Sequence, residues 1–240
     1  MEIKKLSILI PAYNEGKTIQ FVLKKVIDLN LVNNIEKEII VVNDCSTDNT
    51  GEEIDLFISN NLEQNIVAFH QEINKGKGAA IHKGIELATG EYFIIQDADL
   101  ELDPSDINIL LNEVVFKDVD IVYGSRFIGG KHQNTSFIWH ILGNGFLTKL
   151  SNLFSGYKLT DMMTCYKLVP TSIIQSISLV ENRFGFEPEI TMKLAKFKKL
   201  KITEVPISYN ARTKEDGKKI SSKDGMRVIY CIIKYKFSKK

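Results

Sequence analysis

Cysteine, proline and long apolar runs are all scarce in this chain, and each scarcity removes a class of protein. Cys45, Cys165 and Cys231 are the 3 cysteines, widely separated and without Cys-x-x-Cys spacing. That pattern suggests neither a disulfide framework nor a zinc site and fits a reducing compartment. The 5 prolines and 15 glycines are too dispersed for a collagen-like or low-complexity chain. No uninterrupted apolar run approaches the roughly 18–20 residues that span a bilayer. Met1-Glu2-Ile3-Lys4-Lys5 leads into a strand pattern rather than a signal peptide. A soluble or peripheral protein of the cytoplasm is expected. What is present is ordinary for a globular fold: 240 residues, 44% hydrophobic and 25% charged, enough for a full core and unlike a disordered chain or a coiled coil.

Charge of one sign is missing only in sum. The net charge is +1, yet residues 190–240 hold 15 Lys and Arg against 4 Asp and Glu, which leaves 16 against 26 in residues 1–189. The C-terminal fifth either faces something anionic, phosphate or lipid surface, or is a solvated basic face.

The first 125 residues alternate short β-branched runs with amphipathic stretches. Leu6 to Ile10, Glu38 to Val42, Ile66 to Phe69, Tyr92 to Ile95 and Asp120 to Tyr123 read as strands, most of them apolar throughout, as in strands covered on both faces. Helical patterns lie between them, over Lys17 to Leu29, Asn49 to Asn60, Gly78 to Ala88 and Ser105 to Val115. This order implies an α/β fold with a doubly wound, mostly parallel central sheet and helices on both faces. After Gly124 the alternation stops. Helices are expected over Phe137 to Phe154, Glu187 to Phe197 and Asp224 to Tyr235, with a strand over Lys201 to Ile207. The last helix carries an apolar stripe of Val228, Ile229, Ile232 and Ile233 beside a lysine-rich end.

In such sheets ligands bind beyond the carboxyl ends of the strands, so the polar residues there are the ones to read. Pro11-Ala12-Tyr13-Asn14-Glu15 follows the first strand, Asn43-Asp44-Cys45-Ser46-Thr47-Asp48 the second and Gln96-Asp97-Ala98-Asp99-Leu100-Glu101 the fourth. An Asp-x-Asp after a buried strand puts two hard oxygen ligands at a sheet edge, where they suit a divalent metal bridging a diphosphate. Alone, the same tripeptide reads equally as a turn and an N-cap. Asn74-Lys75-Gly76-Lys77-Gly78 opens a helix, and its glycines would let backbone N–H groups approach a phosphate. No Walker A loop is present and no Gly-x-Gly-x-x-Gly follows the first strand, which argues against kinase-like and dinucleotide-dependent enzymes.

Seven motifs in order are similar to the family 2 glycosyltransferases of the GT-A fold, over nearly the whole chain, and within them to the polyprenyl-phosphate group that includes dolichol-phosphate mannose synthases. They are Pro11, Tyr13, Asn14 and Glu15; Val42 and Asp44 with Ser46 to Asp48; Asn74 to Gly78; Asp97-Ala98-Asp99; Gly124-Ser125-Arg126-Phe127; Asp161 with Thr164-Cys165-Tyr166-Lys167; and Phe184 to Glu189. The resemblance implies one GT-A domain over 1–240, with a nucleotide-sugar-binding half in 1–125 and an acceptor-side half in 126–240. It implies a metal-dependent, inverting transfer of a sugar from a nucleoside diphosphate sugar to a polyprenyl phosphate. A carbohydrate or protein hydroxyl acceptor and a non-catalytic nucleotide-sugar module are the alternatives. Pro11, Tyr13, Glu15 and Asp44 are then expected around the base and ribose, with Val42, Lys75 and Ala98 also on the donor. Asp97, Asp99 and Glu101 are expected around Mg²⁺ or Mn²⁺, and Arg126, Arg212 and Lys218 on phosphates. Arg212 and Lys218 belong to a polar segment, Asn210 to Lys223, expected to close over the diphosphate.

Two positions depart from the family's usual pattern. Asn43 stands where an aspartate is usual, and Met163 where an acid is often found near Asp161. Asp161 is expected on the acceptor side, where a hydroxyl acceptor needs a base but a lipid phosphate does not; there it orients the acceptor or a cation. The implied partners are the nucleotide sugar, the polyprenyl phosphate and the cytoplasmic face of a membrane, met peripherally, with no nucleic acid; the oligomeric state is left open.

Overall fold

The computed structural model describes residues 3–129, 138–210 and 222–238. Its strands are β1 (Lys5–Ala12), β2 (Glu36–Asn43), β3 (Ile66–His70), β4 (Tyr92–Ile95), β5 (Ile121–Ser125), β6 (Lys167–Pro170) and β7 (Ile202–Pro206). They form a seven-stranded sheet in the order β3-β2-β1-β4-β6-β5-β7, parallel except for β6, which runs antiparallel to both β4 and β5. The helices are α1 (Ile19–Asp28), α2 (Thr50–Ser59), α3 (Lys77–Leu87), α4 (Ile107–Phe116), α5 (Ile138–Ser155), α6 (Thr171–Gln175), α7 (Phe186–Leu194) and α8 (Ser222–Phe237).

Strand alternation explains the continuous apolar runs, because both sheet faces are covered. Ile8, Ile10, Ile39, Val41 and Ile94 meet Val22, Leu23, Ile54, Leu110 and Leu111 of α1, α2 and α4 on one side. Leu9, Ile40, Val42, Phe93 and Ile95 meet Ala80, Ile81, Ile174, Phe186 and Ile190 of α3, α6 and α7 on the other. β6 and α6 were not expected from the sequence. β6 begins at a charged residue and ends at a proline, both signals against a central strand. The lysine is accommodated because it carries its counter-ion with it. Lys167 is 0% exposed, its ammonium pairs with Glu187 of α7 and donates to the Thr164 carbonyl, and it lies 5.0 Å from the Tyr123 ring centre.

A third cluster joins α5, α7 and α8: Met162, Met192, Val228, Cys231, Ile232 and Tyr235, flanked by Leu147, Leu150 and Phe154. The apolar stripe of the last helix is therefore divided. Val228 and Ile232 pack inward, whereas Ile233 lies on an exposed line with Met226, Tyr230 and Phe237.

Lys167→Ala is expected to lower unfolding free energy by about 3 kcal/mol or more, since it leaves Glu187 buried without its partner. Lys167→Met combined with Glu187→Leu is expected to recover most of that loss. Urea denaturation of the three proteins checks both statements.

Candidate active site

The carboxyl ends of β1, β2 and β4 lie side by side, and their loops are tied together by side chains. Asn14 has φ 55° and accepts from the Thr47 N–H at 2.8 Å, while the Ser46 hydroxyl accepts from the Asn14 N–H at 3.0 Å. The Thr18 hydroxyl donates to the Ala98 carbonyl at 2.8 Å and contacts a Glu15 carboxylate oxygen at 3.0 Å. Pro11, Tyr13 and Glu15 are half-buried along this rim. Ala98 is 3% exposed and contributes its carbonyl to the loop contact rather than a surface. Val42, expected on the donor, lies in the buried cluster with Ala80 and Ile81, because its place in β2 points it at α3.

The second loop is held by its own side chains. The Asn43 Oδ1 accepts from the Ser46 N–H at 3.0 Å and the Ser46 hydroxyl at 2.6 Å, and its Nδ2 lies 3.1 Å from the His70 ring. Asn43 thus stabilises the turn. Asp44 is buried, and its carboxylate accepts from the Lys75 N–H at 2.8 Å and the Gly76 N–H at 2.7 Å. The amides expected to cradle a phosphate are already bound to this carboxylate, so Asp44 positions residues 74–76. The Lys75 side chain is exposed. It is Lys77, the first residue of α3 after Gly76 at φ 99°, whose ammonium pairs with Asp97 and lies 3.0 Å from the Cys165 sulfur.

Burial works against both charges of that pair, but each stabilises the other. Lys77 is held well above the ordinary lysine value and Asp97 below the ordinary carboxylate value. Burial, and then Asp97, push the Cys165 thiol well above its usual range. Beside Asp97, the Asp99 Oδ1 accepts from the Glu101 N–H at 3.1 Å, and the Glu101 carboxylate accepts from the Tyr209 hydroxyl at 3.0 Å.

Arg126 follows β5. Its Nε and Nη2 donate to the two oxygens of Asp161 at 2.7 and 2.8 Å, and its N–H adds a third bond at 3.2 Å. Asp161 is 0% exposed, and Glu204 of β7 fixes its backbone by accepting from the Thr160 and Asp161 N–H groups at 2.6 and 3.0 Å. Burial opposes the Arg126 charge, and Asp161 more than offsets that. The guanidinium carbon lies 5.2 Å from the Tyr209 ring centre, so Tyr209 bridges Arg126 and Glu101. Lys77 and Tyr209 are the additions to the residues expected from sequence. Lys77 stands in the glycine-flanked motif two places after the lysine selected there, and nothing local marks Tyr209. Arg212 and Lys218 lie outside the described residues.

A nearly parallel sheet with carboxylates and cations gathered at its strand ends is the architecture of the GT-A glycosyltransferases. Solved glucosyl-3-phosphoglycerate synthase from Mycobacterium tuberculosis, in complex with Mn²⁺, uridine diphosphate and phosphoglyceric acid, superposes with a TM-score of 0.73, covering 99% of this chain and 80% of that one. At 16% identity that likeness is one of fold. The chain belongs to glycosyl transferase family 2, whose sequence profile matches residues 7–178. Its relatives include a dolichol-phosphate mannosyltransferase of Pyrococcus furiosus, 29% identical over 89% of this chain, and a dolichyl-phosphate beta-glucosyltransferase of Trichomonas vaginalis, 31% identical over 85%. The chain spans 59% and 65% of the length of these two relatives.

Asp161→Asn removes the counter-charge of a buried guanidinium and is expected to cost about 3 kcal/mol of stability. Asp99→Asn, at a half-buried strand end, is expected to cost less than about 1 kcal/mol. Denaturant midpoints of the two variants, measured together, test this division between a carboxylate that holds the fold and one presented at its edge.

Proposed function

We propose that the chain transfers a sugar, with inversion, from a nucleoside diphosphate sugar to a polyprenyl phosphate at the cytoplasmic face of a membrane. The observation that carries this reading is the meeting of Asp97, Asp99 and Glu101 after β4 with two cations from elsewhere in the chain, Lys77 and Arg126. Residues 1–125 form the donor half, with Pro11, Tyr13 and Glu15 around the base and ribose; residues 126–240 form the acceptor half. Lys77 and Arg126 take diphosphate oxygens, joined by Arg212 and Lys218. Among the described residues no three ligating side chains converge on one point. The hard carboxylate oxygens of Asp97, Asp99 and Glu101 would suit a Mg²⁺ or Mn²⁺ ion. Such an ion, when bound, neutralises charge on the departing diphosphate.

What Asp161 does supports a lipid phosphate as the acceptor. Both of its oxygens pair with Arg126, and Met163, partly buried against the α5–α8 cluster, replaces the acid often found beside it. This arrangement leaves Asp161 as a positioning residue for Arg126, and a hydroxyl acceptor would lack its base there. A lipid phosphate is already an anion. Its oxygen bonds to the anomeric carbon as the bond from that carbon to the diphosphate oxygen breaks, and the nucleoside diphosphate leaves with the electron pair. The names of the relatives, both acting on dolichyl phosphate, support the same acceptor. Membrane contact in this reading is peripheral and rests on the C-terminal fifth; among the described residues no helix is long and apolar enough to cross a bilayer. The exposed line Met226, Tyr230, Ile233 and Phe237 lies in the basic C-terminal fifth.

Incubating the protein with radiolabelled nucleotide sugars, membrane lipid extract and Mn²⁺ is expected to move label into the organic phase. Asp99→Asn or EDTA is expected to lower that transfer roughly 10³-fold or more. Label confined to water-soluble product would move the acceptor to a hydroxyl, and nucleotide binding without transfer would leave a binding module.

In vesicle sedimentation, the protein is expected to pellet with anionic lipid at low salt and to be released as salt rises. No pelleting with anionic vesicles would remove the membrane contact.

A further inference from the structure

Lys77 is flanked by two glycines whose neighbours are not ligands but another part of the chain. A Cβ at Gly78 would lie 2.1 Å from the Glu181 carbonyl, and one at Gly76 would lie 2.6 Å from the Asn182 carbonyl. The Ala79 N–H donates to that same Asn182 carbonyl at 3.1 Å. Residues 181–183 are therefore pressed directly against the turn that starts α3.

Two helices hold this segment from its other side. On α7, the Glu189 carboxylate accepts from the Val180 N–H at 3.0 and 3.1 Å and from the Glu181 N–H at 2.8 Å. On α8, Arg227 donates to the Glu181 carboxylate through Nε at 2.9 Å and Nη2 at 2.8 Å, Tyr235 through its hydroxyl at 2.7 Å, and Lys234 approaches to 3.5 Å. A Cβ at Gly185 would fall 2.6 Å from the same carboxylate and 3.0 Å from the Cys231 sulfur, so α8 sits as close to the segment as α3 does. Burial would raise the Glu181 pKa, but the hydrogen bonds from Arg227 and Tyr235 hold it to about 2. The carboxylate thus stays ionised and bound at any physiological pH.

We infer that α8, gripping Glu181 through Arg227 and Tyr235, seats residues 181–183 against Gly76 and Gly78 and thereby positions Lys77 for the donor diphosphate. Glu181 and Arg227 are positioning residues, remote from the reacting atoms. The mechanical half of this inference stands on the contacts alone, while its functional half rests on Lys77 being a donor ligand. Charge-assisted bonds to one buried carboxylate, in a segment with contacts on both sides, are the means of transmission.

Hydrogen exchange read by mass spectrometry tests the mechanical half without any nucleotide. The Arg227 side chain is 52% exposed, so Arg227→Ala leaves the core intact. It is expected to speed exchange roughly tenfold in peptides covering 76–80 and 180–186, including the Ala79 amide, with partial rescue in Arg227→Lys. Faster exchange confined to residues 222–238, or equal exchange in Arg227→Ala and the wild type, would overturn the coupling. Calorimetry with uridine and guanosine diphosphates and Mn²⁺ tests the functional half. Arg227→Ala is expected to weaken whichever nucleotide the wild type binds by several-fold, and unchanged affinity would overturn the positioning of Lys77. If the wild type binds neither, the donor reading fails, and the exchange result still decides the coupling.

Discussion

A charge can leave water at tolerable cost only when an opposite charge leaves with it, and the strand ends of this protein are built around that requirement. Lys77 pairs with Asp97, Arg126 with Asp161, Lys167 with Glu187 and Lys193 with Glu189. In the first three pairs the partners come from different segments of the chain, so each pair also fixes how two elements meet. Arg126 can stand after β5 only because the loop before β6 brings Asp161 to it, and that loop keeps its shape because Glu204 of β7 binds its amides. Removing one member would strand its partner in a medium that does not solvate it.

This pairing separates the acids into two kinds. Asp44, Asp161, Glu187 and Glu189 direct their oxygens at amides or cations of the chain. The second kind, Asp99 and Glu101, is only half-buried after β4, where Asp99 accepts from the Glu101 N–H two residues on and Glu101 from the Tyr209 hydroxyl. Sequence spacing alone does not divide them, because an aspartate after a strand looks the same whether its partner is a ligand or an amide 31 residues away, as for Asp44 and Lys75.

That limit explains which features were legible. β1, β2 and β4 could be read because helices cover both faces and force apolar residues over the middle of each strand. Asp97 and Asp99, within four residues of the end of β4, and Arg126, directly after β5, stand out as candidates because strand ends are where an α/β sheet gathers its polar residues. β6 could not be read, since its interior lysine is neutralised by Glu187, 20 residues further on. Spacing does not distinguish Lys77 from Lys75, because the two differ only through the backbone of Gly76, whose positive φ turns one side chain outward and the next toward Asp97. The split of α8 into a packed line and an exposed line was likewise hidden, since hydrophobic spacing does not say which of two adjacent stripes meets α5 and α7.

The position of β6 has a bearing on how the sheet is assembled. β4 and β5 are successive strands in the chain, yet they are not neighbours, and the slot between them is filled by residues 167–170. As the chain is synthesised, β1 to β4 can pair from local βαβ units, but β4 and β5 each keep an unpaired edge until β6 has emerged and inserted in the opposite direction. Unpaired apolar edges of this kind invite pairing with other chains. Lys167, at the head of β6, meets its counter-ion Glu187 only in its own slot, once the chain through α7 has emerged, whereas an intermolecular edge offers no such partner. One ion pair would then serve to recognise the correct strand as well as to hold it.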